Sequence, residues 1–393
     1  MKPLRYTDVP MNSLTLPKPD ASASKHSEQL VRVIQHQIEQ QGPITFAEFM
    51  QQALYAPGLG YYSAGARKFG REGDFITAPE ISPLFSKCIA NQCLQVLEEL
   101  EKGDILEFGA GSGVMAADIL QELADKNALP KHYYILELSA DLRERQRQLL
   151  QQRLPDFIKR VIWLDHLPSQ FSGVMLANEV IDAMPVHRFK GLQEYYIDWQ
   201  QDKLCWILAE PSHQTVKLAI KKLHLPPYYI SEINLQVFGW LRSLADCLQK
   251  GALLVLDYGF WRDEFYHPDR SMGTLMCHYC HRVHDDPFML VGLQDITTHV
   301  DFTAIAEGGE KAGFKVAGYT NQAQFLLNCG IAEMAVAKMK DDRSRFEISQ
   351  QIKLLTLPSE MGELFKVMGL VKEIDGDLIG FAQGNRDEED NDN

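Results

Sequence analysis

Short apolar runs alternate with amphipathic stretches along most of the 393-residue chain. Runs with the length and composition of buried strands lie at 105–108, 132–138, 161–164, 173–178, 252–259 and 314–319. Residues with helical spacing lie at 82–101, 114–126, 139–153, 231–249, 303–312, 322–340 and 344–354. Because strands alternate with helices, the pattern predicts an α/β fold built on a doubly wound parallel sheet with right-handed crossovers.

Two further helices are predicted near the N-terminus. Apolar residues at 30, 33, 34 and 38 give 25–41 a helical stripe, which Gly42 and Pro43 end. Thr45 and Glu48 then have the spacing of a capping box at the start of the second helix. The chain therefore has a helical extension in front of the sheet.

The pattern as a whole indicates a Rossmann-like domain with an N-terminal extension and an accessory region that is partly inserted and partly C-terminal. The predicted regions are a flexible arm at 1–24, an N-terminal helical region with a polar loop at 25–101, the Rossmann-like domain at 102–189 and 251–383, an insertion of a small sheet and a helix at 190–250 where we expect the substrate, and an acidic disordered tail at 384–393.

The strand at 105–108 leads directly into a glycine-rich turn. Gly109, Gly111 and Gly113 stand at alternate positions around Ala110, and a helix is predicted to follow. Such a turn lets the backbone approach a ligand, and the helix start offers unpaired N–H groups. The third glycine comes one residue earlier than in the dinucleotide pattern, and Glu107 would meet a pyrophosphate with a like charge. A carboxylate there favours a ligand with an ammonium or sulfonium group, and S-adenosyl-L-methionine carries both.

Polar residues follow the next strands at the same predicted edge of the sheet. Glu137, at the end of the second strand, is placed to accept from both hydroxyls of a ribose. Asp165 follows the third strand and is a candidate for the adenine edge. Asn178 and Glu179 follow the fourth, where a methyl acceptor is expected. Each alone is compatible with an ordinary surface residue, but together they predict one ligand-binding edge.

The residues after the fourth strand suggest how an acceptor is held. Glu179 and Asp182 are three residues apart, so on a helical turn both carboxylates would face the same way and suit a guanidinium. A local capping role for Asp182 is an equal alternative. His299 follows a strand-like run and is a candidate neutral base or substrate orienter, although a structural role is the commoner one for a lone histidine.

Charge and composition exclude several classes of protein. The net charge of −14 argues against a nucleic-acid partner, and no apolar run has membrane-spanning length. Cys277 and Cys280 with His281 resemble half of a zinc site, but without a second cysteine pair we expect no metal. The N-terminus lacks the basic start and apolar core of a secretory signal, and Asp8 and Asp20 with a single arginine fit a mitochondrial presequence poorly, so a bacterial cytoplasm is favoured over a mitochondrial matrix. The sequence leaves open whether the protein forms a homodimer.

Six motifs in order resemble the MidA-type proteins, which are the mitochondrial complex I assembly methyltransferases and their bacterial relatives. They are GDFITAPE at 73–80, EFGAGSG at 107–113, ANEVIDAMP at 177–185, LDYG at 256–259, GTL at 273–275 and QDITTHVDF at 294–302.

This resemblance implies a class I S-adenosylmethionine-dependent methyltransferase that yields S-adenosyl-L-homocysteine. It implies arginine dimethylation of a complex I core subunit by the mitochondrial members, so a protein with an exposed arginine is the expected partner. It also implies that the loop before the predicted helix at 82–101 covers the cofactor, with contacts from Asp74, Thr77, Pro79 and Glu80. Two alternatives stay open: a different methyl acceptor, and an assembly factor that binds the cofactor without turnover.

Overall fold

The computed structural model describes residues 16–63 and 77–382. Within these ranges the strands are β1 (Ile44–Thr45), β2 (Asp104–Phe108), β3 (Tyr133–Leu136), β4 (Val161–Leu164), β5 (Phe171–Asn178), β6 (His187–Lys190), β7 (Gln193–Gln200), β8 (Lys203–Ala209), β9 (Ile230–Ile233), β10 (Leu248–Phe260), β11 (Met276–Tyr279), β12 (Arg282–His284), β13 (Asp295–Thr297), β14 (Val300–Asp301), β15 (Lys315–Asn321) and β16 (Phe365–Lys372).

The helices occupy the stretches between the strands. They are α1 (Ala21–Gln41), α2 (Phe46–Tyr55), α3 (Ala78–Ile81), α4 (Pro83–Glu99), α5 (Val114–Asp125), α6 (Ala140–Arg153), α7 (Gln214–Lys222), α8 (Gln236–Cys247), α9 (Arg262–Phe265), α10 (Phe302–Ala312), α11 (Gln322–Asn328), α12 (Ile331–Lys338), α13 (Asp342–Thr356) and α14 (Met361–Leu364). No described helix is both long and apolar enough to cross a membrane.

The residues form two compact units. Unit 1 contains the described residues of Met1–Phe75 with Asp182–Val237 and Arg262–His299, and unit 2 contains those of Ile76–Ile181, Phe238–Trp261 and Val300–Asn393. This division differs from the predicted regions, because the sheet at 190–250 is not a separate insertion: β1 pairs with β7, with Ile44 opposite Ile197. Residues 262–299, predicted for the Rossmann-like domain, likewise belong to unit 1, where Cys277 and Ile296 lie in the apolar core.

Unit 2 is built on one mixed sheet. In its described residues the strand order is β15-β16-β10-β5-β2-β3-β4, and β14 pairs with β10. The strands from β10 to β4 are parallel, which confirms the predicted α/β fold. The expectation of a wholly parallel sheet is wrong, since β16 runs antiparallel to both β10 and β15. The sequence did not reveal this direction because β16 is buried along seven of its eight residues, as a central parallel strand would be.

Helices α4 and α5 provide much of the apolar core of unit 2. Cys88 and Ile89 of α4 and Ile119 of α5 are fully buried in one cluster with Ile105 of β2 and Val174 of β5. The cluster lies beside the strands whose ends carry the predicted ligand residues. Packing therefore fixes the carboxyl ends of β2, β3 and β5 relative to each other within this unit.

Unit 1 combines α1 and α2 with small antiparallel sheets. The predicted capping box is confirmed, since the Glu48 backbone N–H donates to Thr45 Oγ1 at 3.2 Å and the Thr45 N–H donates to Glu48 Oε2 at 2.8 Å. Helix α1 begins at Ala21, within the predicted flexible arm, because the Asp20 side chain caps it by accepting from Ala23 N at 2.8 Å. Residues 1–15 of that arm and the tail at 384–393 lie outside the described residues.

The predicted helix at 231–249 is shorter than expected. Its first residues form β9, in which Ser231 pairs with Phe189 of β6, and α8 begins only at Gln236. Ile230 and Ile233 are three residues apart, which is the spacing of a helix face, so the pattern of this short run favoured a helix over the strand that forms.

Two helical glycines in unit 2 form a matched pair for a stability test. A Cβ built on Gly239 of α8 has no atom of the described residues within 4 Å, whereas one on Gly308 of α10 would lie 2.9 Å from Leu241 Cδ1. Gly239→Ala should raise the free energy of unfolding by about 0.5–1 kcal/mol, because alanine lowers the entropy of the unfolded chain. Gly308→Ala should give no gain or a loss, and equal stabilisation by both in urea unfolding would contradict this packing.

Candidate cofactor and acceptor site

The glycine turn after β2 has the backbone conformation that its sequence predicts. Gly109, Gly111 and Gly113 have φ angles of 59°, 53° and 84°, in the left-handed region that costs other residues about 1–2 kcal/mol. Ala110 is buried between them, and the Gly113 N–H donates to its carbonyl at 2.8 Å before α5 begins. A Cβ on Gly109 would meet Val180 Cγ2 only at 3.7 Å, so conformation rather than crowding requires glycine at this point.

Glu107 lies inside unit 2, at the end of β2. Its side chain is 1% exposed, and Tyr133 Oη donates to Glu107 Oε2 at 2.8 Å. Burial is the main cause that raises the pKa of Glu107, the Tyr133 hydrogen bond opposes the rise, and the charge of Glu137 adds to it; together they bring the pKa to about 8. The carboxyl group is therefore placed where a ligand cation would stabilise its ionised form.

Glu137 is held immediately after β3. Its Oε1 accepts from Ser139 N at 2.9 Å and its Oε2 accepts from Gln146 Nε2 at 3.1 Å. The Glu137 carbonyl accepts from Arg143 Nε at 2.6 Å. Helix α6 therefore fixes both the backbone and the carboxylate of this residue. Sequence reasoning missed Arg143 and Gln146 because a polar residue on a polar helix carries no distinguishing signal.

Asp165 follows β4 and is strongly exposed. Arg143 Nη1 donates to Asp165 Oδ1 at 2.6 Å, and the same guanidinium donates to the carbonyl of Leu164. The side chain of Asp165 is 81% exposed, so this ion pair contributes little to stability. Its predicted role at the adenine edge stays a prediction.

The loop predicted to cover the cofactor is described only from Thr77 onward, and Asp74 lies outside the described residues. Thr77 is the N-cap of α3, and Pro79 is buried within that helix. Glu80 accepts a hydrogen bond from Ser112 Oγ. The structure thus brings Glu80 against the glycine turn.

The turn after β5 differs from its prediction. Glu179 has a φ of 53°, and its N–H donates to the Leu256 carbonyl of β10 at 2.9 Å. Asn178 Nδ2 donates to Glu179 Oε1 at 3.3 Å. The predicted helical turn that would align Glu179 with Asp182 is wrong, because a left-handed residue interrupts helical geometry. The chain also passes from unit 2 to unit 1 between Ile181 and Asp182.

Asp257 supports this turn and was not among the predicted site residues. It is fully buried in β10, where Oδ2 accepts from Ile181 N at 3.0 Å and Oδ1 accepts from Tyr258 N at 2.9 Å. The sequence feature that could have identified Asp257 is its place in the 256–259 motif, as an acid after a long apolar run. Asp257 therefore orders the chain around Glu179.

The remaining predicted residues, Asp182 and His299, lie in unit 1. Asp182 is 5% exposed, and its carbonyl accepts from Thr298 N at 3.0 Å. The His299 N–H donates to Thr274 Oγ1 at 3.1 Å. Burial and then the positive charge of Arg270 lower the pKa of His299 to about 4, so its imidazole is neutral near neutral pH. Neutrality is what a base requires, but the catalytic roles of both residues stay predictions.

The cysteine and histidine motif does not form a recognisable metal centre. Cys277 is buried in β11, whereas Cys280 is exposed in the following turn with a φ of 48°. Among the described residues, no group of three or more histidine, cysteine, aspartate or glutamate side chains is arranged to hold a metal ion.

Comparison with known proteins identifies the family. Residues 88–320 match the profile of a family described as "Putative S-adenosyl-L-methionine-dependent methyltransferase". The chain belongs to this family. A crystal structure of a Burkholderia thailandensis protein bound to S-adenosyl-homocysteine is 40% identical, with a TM-score of 0.90 over 95% of this chain and 99% of that one.

More distant relatives of this methyltransferase are mitochondrial. Proteins named protein arginine methyltransferase NDUFAF7 are 28% identical over 383 residues in Bos taurus and 27% identical over 388 residues in Homo sapiens. Each match covers 87% of this chain and 83% of the relative. The expected family and fold class are confirmed.

The methyltransferase uses S-adenosyl-L-methionine and forms S-adenosyl-L-homocysteine. The residues of unit 2 fit this cofactor, since the turn at 109–113 leaves space beside Gly109, and Glu107 and Glu137 are the groups that would bind its cation and its ribose diol. When bound, the sulfonium supplies an activated methyl group. The chain's task is then to hold the cofactor and align the acceptor.

The raised pKa of Glu107 predicts a pH-dependent stability. Between about pH 5 and pH 8 folded Glu107 keeps a proton that the unfolded chain, with an ordinary pKa of 4.5, has released. The stability that this proton provides is lost as pH rises through that window. Glu107→Gln keeps an acceptor for Tyr133 without the charge, so its stability relative to wild type should grow with pH, by about a few kcal/mol in total.

Urea denaturation of the ligand-free protein at several pH values measures this difference. Tyr133→Phe should raise the Glu107 pKa further and move the change to higher pH, since the lost hydrogen bond lowers that pKa. Glu144→Gln, at an exposed position of α6, serves as the control. A difference between Glu107→Gln and wild type that does not vary with pH would contradict a protonated Glu107.

Proposed function

We propose that this methyltransferase modifies a terminal nitrogen of an arginine side chain in a protein. The observation that carries the proposal is the carboxylate of Glu179 at the end of β5, on a turn fixed by the Leu256 carbonyl and by Asp257. The names of the mitochondrial relatives support the same acceptor. A core subunit of a respiratory complex I-type enzyme is the first candidate target, and a bacterial cytoplasm is the proposed location.

The chemistry of a guanidinium explains why an anchored carboxylate is useful. The acceptor is a planar cation with several N–H donors, and a carboxylate binds it through charge-assisted hydrogen bonds. Methyl transfer also requires the acceptor nitrogen to be held in line with the methyl group. Glu179 is half-buried and accepts from Asn178 Nδ2, so its orientation is restricted while part of it stays accessible. A mobile surface acid would bind a cation but would not align it.

Glu179 carries the energetic cost expected of a functional residue. A glutamate at a φ of 53° is strained by about 1 kcal/mol or more, and a glycine would relieve that strain. The hydrogen bonds from Glu179 N and Ile181 N hold the turn in this conformation. These two hydrogen bonds offset the strain and keep Glu179 in this conformation.

The acceptor can be identified directly. Proteins from cells that lack this chain should be incubated with the purified enzyme and S-adenosyl-L-methionine labelled in its methyl group, and then hydrolysed to amino acids. We expect the label in methylated arginine. Label in another amino acid, or in the low-molecular-mass fraction, would instead support the alternative acceptor. Cofactor binding without incorporation would support a binding factor that does not turn over.

Glu179→Gln tests the role of the charge. It keeps the size and hydrogen-bonding capacity of the side chain, so cofactor affinity should stay within about threefold of wild type. Turnover should fall by about a hundredfold or more, because the acceptor loses the anion that holds it. Glu144→Gln, at the exposed position on α6, should have no effect. Wild-type turnover by Glu179→Gln would contradict a cationic acceptor at this carboxylate.

A further inference from the structure

Gln146 of α6 joins three parts of the cofactor region of unit 2. It is completely buried, and its Nε2 donates to the Gly111 carbonyl at 3.0 Å and to Glu137 Oε2 at 3.1 Å. Its Oε1 accepts from Trp163 Nε1 of β4 at 2.9 Å. One side chain therefore connects the glycine turn, the acid after β3 and the end of β4.

The chemistry of its neighbours fixes the orientation of this amide. An indole N–H can only donate, so Trp163 must face the amide oxygen. A carbonyl and a carboxylate can only accept, so Gly111 and Glu137 must face the amide nitrogen. All three neighbours require the same orientation, and both N–H bonds of the amide are used. A side chain restricted in this way is a precise spacer between Gly111 and Glu137.

The surroundings of Gln146 allow little adjustment. A Cβ added at Gly113 would lie 3.3 Å from both Cα and Cγ of Gln146, so α6 packs directly on the glycine turn. Trp163 is further held by Arg147, whose guanidinium carbon lies 4.8 Å from the centre of the indole ring. The glycine at 113 thus serves helix packing as well as the shape of the turn.

We propose that Gln146 is a positioning residue that makes the enzyme selective for a ribose over a deoxyribose ligand. Gln146 Nε2 donates to one oxygen of the Glu137 carboxylate, and Ser139 N donates to the other. Both oxygens are therefore held in a fixed orientation. The same amide ties the Gly111 carbonyl to that carboxylate and sets the distance between turn and acid. The proposal depends on Glu137 as the residue that binds the ribose diol, and not on the identity of the methyl acceptor.

The test compares two ligands by calorimetry: S-adenosyl-homocysteine and its 2′-deoxy analogue. A wild-type enzyme with an aligned Glu137 should prefer the diol by about tenfold or more, the value of one hydrogen bond to a charged group. In Gln146→Leu this ratio should fall by about fivefold or more, because the carboxylate loses a donor that aims it. Gln148→Leu, an exposed position on the same helix, should keep the wild-type ratio.

A second variant covers the case in which Gln146→Leu does not fold. Gln146→Glu keeps the shape and the acceptor for Trp163, but it puts a carboxyl group beside Glu137 and the Gly111 carbonyl. At each pH, the ratio of affinities for the two ligands is compared with that of wild type. At pH 8 the variant should show no preference for the diol. At pH 5.5 the preference should partly return, because the introduced carboxyl group can be protonated and donate a hydrogen bond. A preference unaffected by pH would count against the proposal.

The outcomes separate this proposal from the assumption beneath it. If Glu137→Gln keeps the preference for the diol, Glu137 does not bind the ribose and the assignment itself fails. If Glu137→Gln loses the preference but Gln146→Leu keeps it, Gln146 has no positioning role. Equal weakening of both ligands by Gln146→Leu, with an unchanged ratio, would also overturn the proposal, because it would indicate a purely structural contribution.

Discussion

Burying carboxylates at the ends of apolar strands is the constraint on which the cofactor region depends. Glu107 lies near the carboxyl end of β2, Glu137 follows β3, and Asp257 lies in β10 one residue past its pairing with β5; each is less than a tenth exposed. A buried carboxyl group without hydrogen-bond partners costs free energy whether it is neutral or charged, and more when it is charged, so each requires fixed donors. The donors are the Tyr133 hydroxyl for Glu107, Ser139 N and Gln146 for Glu137, and the N–H groups of Ile181 and Tyr258 for Asp257.

These donors explain why the elements between the strands have their particular form. Helix α6 begins at Ala140, and the preceding residue Ser139 caps it with its side chain while the Ser139 N–H donates to Glu137. The turn after β5 is left-handed at Glu179, which brings the Ile181 N–H to Asp257. The glycine turn after β2 accepts from Gln146 through Gly111. Within unit 2, the same bonds that satisfy the acids therefore shape the loops around the ligand.

Much of this arrangement could be predicted from the sequence. Apolar runs indicated β2 to β5 and β10, and because parallel strands end at one edge, the acids after them were predicted to lie along that edge. The antiparallel direction of β16 could not be predicted, because a strand that is buried on both faces has the same apolar sequence pattern in either direction. The partition into two units was also missed, because β1 pairs with β7 across about 150 residues of chain, a contact that no local pattern encodes. Gln146 and Asp257 were missed for a related reason: their importance depends on partners distant in sequence.

A crystal structure of the enzyme with S-adenosyl-homocysteine tests the central claim most directly. If buried acids at the ends of the strands organise the cofactor site, the two ribose hydroxyls should lie within hydrogen-bond distance of the Glu137 carboxylate. The ligand should also lie against the glycine turn at 109–113. Ribose hydroxyls that contact other residues, and lie beyond hydrogen-bond distance of the Glu137 carboxylate, would contradict the claim that this buried acid organises the cofactor site.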